Sequence, residues 1–395
     1  MQARNLSTFI QHEASRYPVI TLTGPRQSGK TTLCKSTFPE KPYFNLEAPD
    51  IRQFATEDPR GFLAAIPHGA ILDEIQRAPE LTSYLQPLVD ENPAPGRFIL
   101  TGSQQLHVRA SVSQSLAGRT AMLTLLPFDS AEIRTYHDLA DVDGLLLKGF
   151  YPRLHHMELE PSRMYGNYFE TYVQRDVRQL INIRNAGQFE KFIRLCAGRT
   201  GQLLNLHSLG NDAGVSHTTA REWITLLEAG YIIFQLPPWH ANISKRLTKT
   251  PKLYFWDVGL AAFLLGLETP AQVARDPLRG NLFENMVIAD LFKQSFHHGK
   301  RPRFSFYRDS SGLETDLVME NGQDIFLLEI KSGQTVTQDY FKGLYGVSRA
   351  VGERIKGGAV LYGGETEQNR SDWQAWPVGN LPHLLGHVDR FFMDL

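Results

Sequence analysis

The N-terminal part of the chain is organised around one stretch, Val19-Ile20-Thr21-Leu22-Thr23-Gly24-Pro25-Arg26-Gln27-Ser28-Gly29-Lys30-Thr31-Thr32-Leu33. It reads as an apolar strand, a loop bounded by two glycines and the start of a helix. The spacing matches G-x-x-x-x-G-K-[ST], in which backbone N–H groups turn inward on a phosphate at a helix N-terminus. Lys30 is then expected to reach the β- and γ-phosphates, and the Thr31 hydroxyl to hold Mg²⁺. The stretch therefore predicts a nucleotide site.

Composition sets broad limits on the class of protein. A chain of 395 residues with 42% hydrophobic and 21% charged residues predicts two or three globular domains. The net charge of -1 gives no global attraction to nucleic acid, so any basic surface must be local. The two cysteines, Cys34 and Cys196, are too few for a zinc site or a disulfide framework. With no secretory or membrane-spanning pattern, we expect a cytoplasmic protein.

A second predicted strand, Gly69 to Gln76, contains a pair of carboxylates, Asp73 and Glu74, after its apolar run. Asp73 would enter the Mg²⁺ shell, and Glu74 at the strand tip would polarise the attacking water. A third apolar strand, residues 96–103, ends in small polar residues that are expected beside Asp73. Ser103, or as an alternative Thr101, is expected to sense the γ-phosphate, and simple turn chemistry is the other explanation. The residues expected to bind ATP are Gly24, Pro25, Arg26, Gln27, Ser28, Gly29, Lys30, Thr31, Thr32, Asp73 and Ser103, and those expected to hold Mg²⁺ are Thr31 and Asp73.

Strands and helices alternate through this half of the chain. Further strands are predicted at residues 43–47 and 123–128, and a helix at residues 51–66. Such alternation is typical of an α/β fold with a parallel sheet.

The middle of the chain predicts a winged helix-turn-helix. Helices are expected at residues 206–214 and 217–229, around a turn in which Ser216 caps the second helix, and a strand follows at residues 231–236. The expected wing is basic and contains Lys245, Arg246, Lys249 and Lys252. These cations can hold DNA phosphates without reading sequence. Docking of a protein partner is the alternative, because the fold fixes no function.

Three polar side chains are expected to gather in the C-terminal part. Asn321-Gly322 predicts a hairpin between strands at 315–319 and 325–331. Side chains alternate along strands with period two, so an even-numbered loop places Asp316, Glu329 and Lys331 on one face. Two carboxylates can bind a divalent metal, and the lysine can activate water for attack on a phosphodiester.

Four segments together resemble a known family. They are the phosphate loop, Leu72-Asp73-Glu74-Ile75-Gln76, Leu100-Thr101-Gly102-Ser103 and Leu116-Ala117-Gly118-Arg119. They look like the bacterial and archaeal AAA-like ATPases that carry a DUF4143 C-terminal region. The resemblance implies that Arg119 is an arginine finger or sensor for the γ-phosphate. A surface ion pair is the alternative for this residue.

The C-terminal part is similar to the PD-(D/E)xK nuclease superfamily. The resemblance rests on the order α-β-β-β-α-β, the spacing Asp-x(12)-Glu-x-Lys and the preceding helical Glu284. Thr315 stands where proline is usual before the aspartate. The resemblance implies a restriction-endonuclease-like fold with Glu284, Asp316 and Glu329 as metal ligands and Lys331 as the catalytic lysine.

The sequence thus predicts three parts: an ATPase domain at 1–160, a connector and winged helix at 161–280, and a nuclease-like domain at 281–395. The expected function is Mg²⁺-dependent ATP hydrolysis coupled to a nuclease-like domain that acts on DNA. The alternative is a nucleotide-gated switch whose nuclease fold binds partners without cutting. A homo-oligomer stays open, and no membrane is expected as a partner.

Overall fold

The computed structural model describes residues 4–103, 112, 115–177, 185–240, 250–370 and 372–393. The chain divides into two compact units. The first comprises Met1–Pro127, Ala229–Tyr231 and Ser295–Lys300, and the second comprises Phe128–Glu228, Ile232–Gln294 and Arg301–Leu395. The three-part division expected from the sequence stays a prediction.

The first unit is built on a five-stranded parallel sheet. Its strands β1 to β5 are Val19–Thr23, Tyr43–Asn45, Ile71–Asp73, Phe98–Gly102 and Thr120–Thr124, in the spatial order β2-β3-β4-β1-β5. Its helices α1 to α5 are Leu6–Ala14, Lys30–Thr37, Pro49–Glu57, Pro59–Ala64 and Leu81–Glu91. The predicted parallel α/β architecture is confirmed.

Apolar side chains cover both faces of this sheet. One cluster contains Leu72 and Leu100, and a second, separate cluster contains Ile20 and Ile99. Strands buried on both faces are the reason for the continuous apolar runs in the sequence. Because all five strands are parallel, the loops after β1, β3 and β4 leave from the same edge of the sheet.

Two boundaries differ from the sequence expectation. The last strand is not residues 123–128 but β5, which pairs along β1 from Val19↔Thr120 to Thr23↔Thr124. Pairing with β1 therefore outweighs the more apolar run that follows. The helix expected over 51–66 is two helices, because the Asp58 side chain accepts a hydrogen bond from the Gly61 N–H at 2.9 Å and starts a new helix.

The second unit begins with helices. Helices α6 to α14 are Ser130–Ile133, Val142–Lys148, Pro152–His156, Pro161–Tyr168, Ala186–Ala197, Leu206–Ala213, His217–Ala229, Val258–Leu264 and Pro270–Arg275, and a π-helical segment, Phe169–Val177, follows α9. The Thr219 N–H donates to the Ser216 hydroxyl at 3.0 Å, as expected of an N-cap at the start of α12. The strands β6, Ile233–Leu236, and β7, Lys252–Phe255, pair antiparallel.

A six-stranded mixed sheet forms the rest of the second unit. Helix α15 is Arg279–His297, and strands β8 to β13 are Phe304–Arg308, Glu314–Asn321, Asp324–Lys331, Ile355–Tyr362, Gln368–Asn369 and Gln374–Pro377. Helix α16 is Lys342–Val351 and α17 is Leu384–Met393. The spatial order is β12-β13-β11-β10-β9-β8. Buried Val318, Leu327, Leu344 and Val360 lie in one core cluster between α16 and the sheet.

The hairpin between β9 and β10 has the expected parity. Asn321 pairs with Asp324, and the register continues to Leu317↔Leu328. One position further along both strands, Asp316 stands opposite Glu329. In the parts of the chain described above, no helix combines the length and apolar character of a membrane span.

Candidate functional site

The phosphate loop requires glycine at its first position. Gly24 has φ +149°, and a Cβ there would lie 2.0 Å from the Leu125 carbonyl oxygen. At the other end of the loop, Gly29 has φ +95° and directly precedes α2. Both residues adopt backbone conformations that side chains disfavour. The loop can therefore pass close to the end of β5 and then turn into the N-terminus of α2.

An arginine that the sequence analysis did not single out anchors this loop. The buried Arg4 guanidinium donates to the Ser28 carbonyl at 2.6 Å and to the Leu126 carbonyl at 2.8 Å. No local motif announces such a residue, because its partners lie far along the chain. The loop is thus tied to the segment after β5 by a charged side chain.

Lys30 lies buried inside the loop. Its ammonium donates to the carbonyl oxygens of Gly24 at 2.9 Å and Pro25 at 2.8 Å. Burial lowers the pKa of Lys30, and the nearby charges of Glu74 and Asp73 act in the opposite direction. Neutral carbonyls are weaker partners for an ammonium than phosphate oxygens are. The lysine is therefore held where an incoming phosphate can take over its hydrogen bonds.

Asp73 receives hydrogen bonds from several hydroxyls at the end of β3. Its Oδ2 accepts from Thr31 Oγ1 at 2.7 Å and from the Tyr43 hydroxyl at 2.7 Å, and its Oδ1 accepts from Thr101. The structure therefore brings together Thr31 and Asp73, the two residues expected to hold Mg²⁺. Their oxygen atoms are the ligand type that Mg²⁺ prefers. The nearby Ser28 hydroxyl is buried without a hydrogen-bond partner in the described structure, which leaves it available to a phosphate oxygen.

Tyr43 is a member of this site that sequence reasoning missed. Burial and the hydrogen bond to Asp73 raise the pKa of Tyr43, so its hydroxyl stays a donor at neutral pH. The Lys35 ammonium lies 3.5 Å from the centre of the tyrosine ring. An aromatic residue at the start of a strand is ordinary in core packing, and nothing in its local pattern announces the contact with Asp73.

Glu74 and Ser103 meet beside Asp73. Glu74 has φ +57°, an unusual conformation for a non-glycine residue that turns the chain directly after β3. Its Oε2 accepts from the Ser103 hydroxyl at 3.0 Å and from the Gln76 amide. The expected water-activating carboxylate and the expected sensor thus lie in direct contact.

The remaining loop residues lie nearer to the surface. Arg26 forms an ion pair with Glu47 at 3.1 Å, Gln27 has φ +63°, and Thr32 is exposed on α2. The contacts expected between these three side chains and a nucleotide stay predictions.

Arg119 does not reach the phosphate loop of its own chain. It directly precedes Thr120, which pairs with Val19 at the start of β1, whereas the loop follows the end of β1. The exposed guanidinium forms an ion pair with Asp90, with one contact of 2.9 Å. The expected role as a sensor within the same subunit is therefore corrected to a surface ion pair. A finger acting on a neighbouring copy stays a prediction.

Asp316, Glu329 and Lys331 converge on one face of the second unit's sheet. The Lys331 ammonium lies 3.2 Å from Asp316 Oδ2 and 2.7 Å from Glu329 Oε2. The Ile330 N–H also donates to Asp316 at 2.8 Å. Burial and the charge of Asp316 raise the pKa of Glu329 well above its usual range. Burial alone would also raise the pKa of Asp316. The positive charges of Lys331 and Lys252 outweigh the effect of burial, so the pKa of Asp316 is lowered. The pKa values of the two neighbouring carboxyl groups are therefore shifted in opposite directions.

Glu284 does not complete a metal site with these two carboxylates. Its Oε1 accepts from the Lys252 ammonium at 3.1 Å and from the Tyr254 hydroxyl. Burial, and then the charge of Asp316, raises the pKa of Glu284 to about 7. The ligand atoms of Glu284, Asp316 and Glu329 do not all lie within 4.8 Å of one another. The described structure therefore does not bring the three expected carboxylate ligands together, and Glu284 is paired with Lys252 instead.

Lys252 corrects the expected wing. It is 3% exposed and forms ion pairs with Glu284 at 3.1 Å and with Glu314 at 2.6 Å. A buried, paired lysine is not free to hold DNA phosphates. The other members of the expected wing, Lys245, Arg246 and Lys249, lie outside the described residues.

Gly343 of α16 borders the same group of side chains. A Cβ at this position would lie 1.9 Å from Glu329 Oε1 and 2.5 Å from the Glu314 carbonyl oxygen. The helix therefore packs against the carboxylates at a distance that only a glycine permits.

Three family models match successive parts of the chain. An AAA domain matches residues 16–134, a domain of unknown function (DUF8612) matches residues 139–271, and a domain of unknown function (DUF4143) matches residues 279–381. Two curated relatives are the uncharacterized proteins Rv2008c of Mycobacterium tuberculosis and Mb2031c of Mycobacterium bovis. Each is 31% identical over 340 residues, which cover 85% of this chain and 75% of the relative. The chain belongs to this family of P-loop ATPases with a DUF4143 domain.

Solved structures align with this DUF4143 ATPase at low identity. The Walker-type ATPase PABY2304 of Pyrococcus abyssi aligns over 67% of this chain and 95% of its own, with 14% identity and a TM-score of 0.46. The AMPPCP-bound DnaA of Aquifex aeolicus aligns over 56% of this chain and 85% of its own, with 13% identity and a TM-score of 0.29.

The AAA domain of this DUF4143 ATPase coincides with the site described above. The matched residues 16–134 contain the phosphate loop, Asp73, Glu74 and Ser103. The family and the loop together support binding and hydrolysis of ATP by the first unit. The DUF4143 match contains Asp316, Glu329 and Lys331 but carries no stated activity.

Proposed function

We propose that the first unit hydrolyses ATP with Mg²⁺ and that the residues around Asp73 carry the reaction. The observation that supports this most directly is the 2.7 Å contact between Thr31 Oγ1 and Asp73 Oδ2, beside the buried Lys30. A bound Mg²⁺ would neutralise charge on the phosphates, with Thr31 and Asp73 holding it. Lys30 exchanges its carbonyl partners for phosphate oxygens.

Glu74 and Ser103 then divide the remaining roles. The Glu74 carboxylate accepts a proton from the attacking water and orients it, which is the role of a general base. Ser103, now donating to Glu74 at 3.0 Å, exchanges this contact for the γ-phosphate. Binding of the nucleotide thus releases Glu74 from its hydrogen bond with the Ser103 hydroxyl.

The experiment is ATP hydrolysis by the purified full chain at increasing Mg²⁺. We expect activity that depends on Mg²⁺ and a loss of at least about 100-fold in kcat for Asp73→Asn. The exposed Asp50→Asn on α3 is the matched control and should keep the parent rate. Parent-like hydrolysis by Asp73→Asn would show that the metal is held elsewhere.

We also propose that the second unit contains a PD-(D/E)xK nuclease-like domain that acts on DNA. The convergence of Asp316, Glu329 and Lys331 favours it, together with the element order α15-β8-β9-β10-α16-β11. In this function Lys331 orients the water and the scissile phosphate. The alternative is a nucleotide-gated switch whose nuclease fold binds DNA or a protein without cleavage.

The test for cleavage uses linear, circular and branched DNA with Mg²⁺ or Mn²⁺, with and without ATP. Lys331→Met should abolish cleavage, whereas the exposed Lys342→Met should not. Absence of cleavage under all these conditions by the parent, and also by Lys252→Met, in which the buried ammonium beside these carboxylates is removed, would favour the non-cleaving alternative.

DNA binding is tested separately from cleavage. The two helices α11 and α12, followed by β6 and β7, have the order of a winged helix, and we propose that its basic wing holds phosphates. Neutralising Lys245, Arg246 and Lys249 together should lower the affinity and reduce the slope of log K against log salt by up to about one unit per lost phosphate contact. An unchanged slope would place the DNA surface elsewhere, and no binding at low salt would favour a protein partner.

A further inference from the structure

Lys252 is positioned by its backbone as well as by its charge. On one side it pairs with Leu236 of β6, and on the other it forms a β-bridge with Leu203. The flanking Leu253 N–H donates to the Gln202 carbonyl at 3.0 Å, and the Leu204 N–H donates to the Pro251 carbonyl at 2.8 Å. The main chain of Lys252 is thus held on both sides, which fixes the position from which its side chain reaches the carboxylates.

The side chains around Lys252 form a group of carboxyl groups that are paired with cationic side chains. Its four carboxyl groups are Glu284, Glu314, Asp316 and Glu329, and its cations are Lys252 and Lys331. At the edge of the group, Arg308 also pairs with Glu314 at 3.0 Å. We call this group the lysine-filled cluster. Each of its four carboxyl groups contacts at least one of these cationic side chains.

The position of Lys252 conflicts with metal binding. Its ammonium takes oxygen atoms of Glu284 and Glu314 and acts electrostatically on Asp316. A divalent ion at the neighbouring carboxylates would be repelled by this ammonium. Lys252 therefore competes with a metal ion for Glu284 directly and for Asp316 through its charge.

We propose that Lys252 is a built-in cation that keeps divalent metal out of the lysine-filled cluster, so that the proposed nuclease-like site stays inactive until this lysine is displaced. The inference rests on the proposed nuclease-like site and adds its regulation. A buried ion pair is not required for stability, since apolar residues of similar volume often serve as well. The burial of Lys252 is instead explained by its role, which is to exclude a competing cation.

The test measures metal binding rather than cleavage. Mn²⁺ is titrated into the full chain by calorimetry, in an Asp73→Asn background that removes metal binding at the first unit. Lys252→Met should bind one Mn²⁺ with an affinity at least about tenfold higher than the parent. Lys252→Arg keeps the charge and should resemble the parent, as should the exposed Lys342→Met. Adding Asp316→Asn to Lys252→Met should remove the gained binding.

Two results would overturn the inference. One is that the parent, which contains Lys252, binds Mn²⁺ and that Asp316→Asn abolishes this binding. This result does not depend on whether a Lys252 variant folds. The other is a folded Lys252→Met, with a cooperative thermal transition, that gains no Mn²⁺ affinity and no thermal stabilisation by Mn²⁺. Assaying DNA cleavage by Lys252→Met with an intact Asp73, with Mn²⁺ and ATP, separates the two proposals. Gained metal binding without cleavage would support the role of Lys252 and count against the nuclease.

Discussion

The two candidate sites use the same kinds of side chain in opposite ways. In the first unit, the ammonium of Lys30 is bound to neutral carbonyls, and Asp73 is surrounded by hydroxyls. In the second unit, the ammonium groups of Lys252 and Lys331 are bound directly to carboxylates.

This difference determines what each site can accept. A hydrogen bond to a neutral carbonyl or hydroxyl is exchanged for a phosphate or a metal at little electrostatic cost. A buried ion pair must first be broken, and breaking one leaves an uncompensated charge. The first site is therefore prepared for a charged ligand, whereas the second is already neutralised by its own residues.

The largest expected effect concerns Lys30 in the candidate ATP site of the first unit. Lys30→Met should reduce ATP hydrolysis by roughly 1,000-fold or more, because the ammonium that stabilises charge on the phosphates is lost. The variant should still unfold cooperatively, since it removes a buried charge and replaces it with an apolar chain of similar length. The exposed Lys191→Met is the control. Hydrolysis by Lys30→Met at the parent rate would contradict the proposed role of the loop.

A smaller loss of ATP hydrolysis is expected when Glu74, the proposed general base, is replaced. Glu74→Gln keeps the hydrogen-bonding shape but cannot accept a proton, so hydrolysis should fall by about 100-fold or more while ATP binding remains. Nucleotide bound after gel filtration should then be mostly ATP in the variant and mostly ADP in the parent. Rapid turnover with no retained ATP would remove Glu74 from the reaction.

A further prediction concerns how the stability of the protein depends on pH through a buried carboxyl group of the second unit. Buried Asp290 accepts hydrogen bonds from the Ser130 N–H at 2.6 Å and the Ser130 hydroxyl at 2.7 Å. Burial, and then the charge of Asp129, raises the pKa of Asp290 to about 7. Its folded-state pKa is above the usual value of 3.8, so the folded protein holds the proton more tightly. The stabilisation it contributes is complete below pH 3.8 and is lost as pH rises towards 7.

The loss attributable to Asp290 is at most about 4 kcal/mol in the free energy of unfolding. Urea unfolding of the parent and of Asp290→Asn between pH 4 and pH 8 measures it as a difference in slope. The variant should show the flatter dependence, and the exposed Glu353→Gln should keep the parent slope. Equal slopes for parent and Asp290→Asn would show that this carboxyl is ionised throughout.

The smallest expected effect is that of Arg119→Ala. Because the arginine forms an exposed ion pair with Asp90, hydrolysis per chain should stay within about twofold of the parent. Measuring the rate over a range of protein concentrations makes the test sharper. A loss that grows with concentration would assign Arg119 to the site of a neighbouring copy.

The sequence was most informative where local rules determine the geometry. The phosphate loop follows from residue spacing, Asp73 follows from a strand end, and the pairing of Asp316 with Glu329 follows from the parity of a two-residue hairpin loop. Each of these depends on neighbours within one strand–loop–helix or one hairpin. The parallel character of the sheet in the first unit follows in the same way from the alternation of strands and helices.

The failures arise from contacts between distant segments. Tyr43 and Arg4 reach the first site from elements that carry no motif, and Lys252 was grouped with a basic run although β7 directs it into a buried position. Periodicity also placed the last strand of the first unit too late, since pairing with β1 rather than hydrophobicity sets its start. Partners of this kind become visible only when the strand register is known.

The close packing at Gly343 offers a way to alter the lysine-filled cluster without changing any charge. A single methyl group there meets Glu329 Oε1 at 1.9 Å, so either the helix retreats or the carboxyl group rotates away. In both cases the contacts of Glu329 with Asp316 and Lys331 are disturbed, and water gains further access to a cluster in which the Lys331 side chain is already 33% exposed. Gly343→Ala would therefore change the hydration of the cluster through a steric clash alone, without removing any charged side chain.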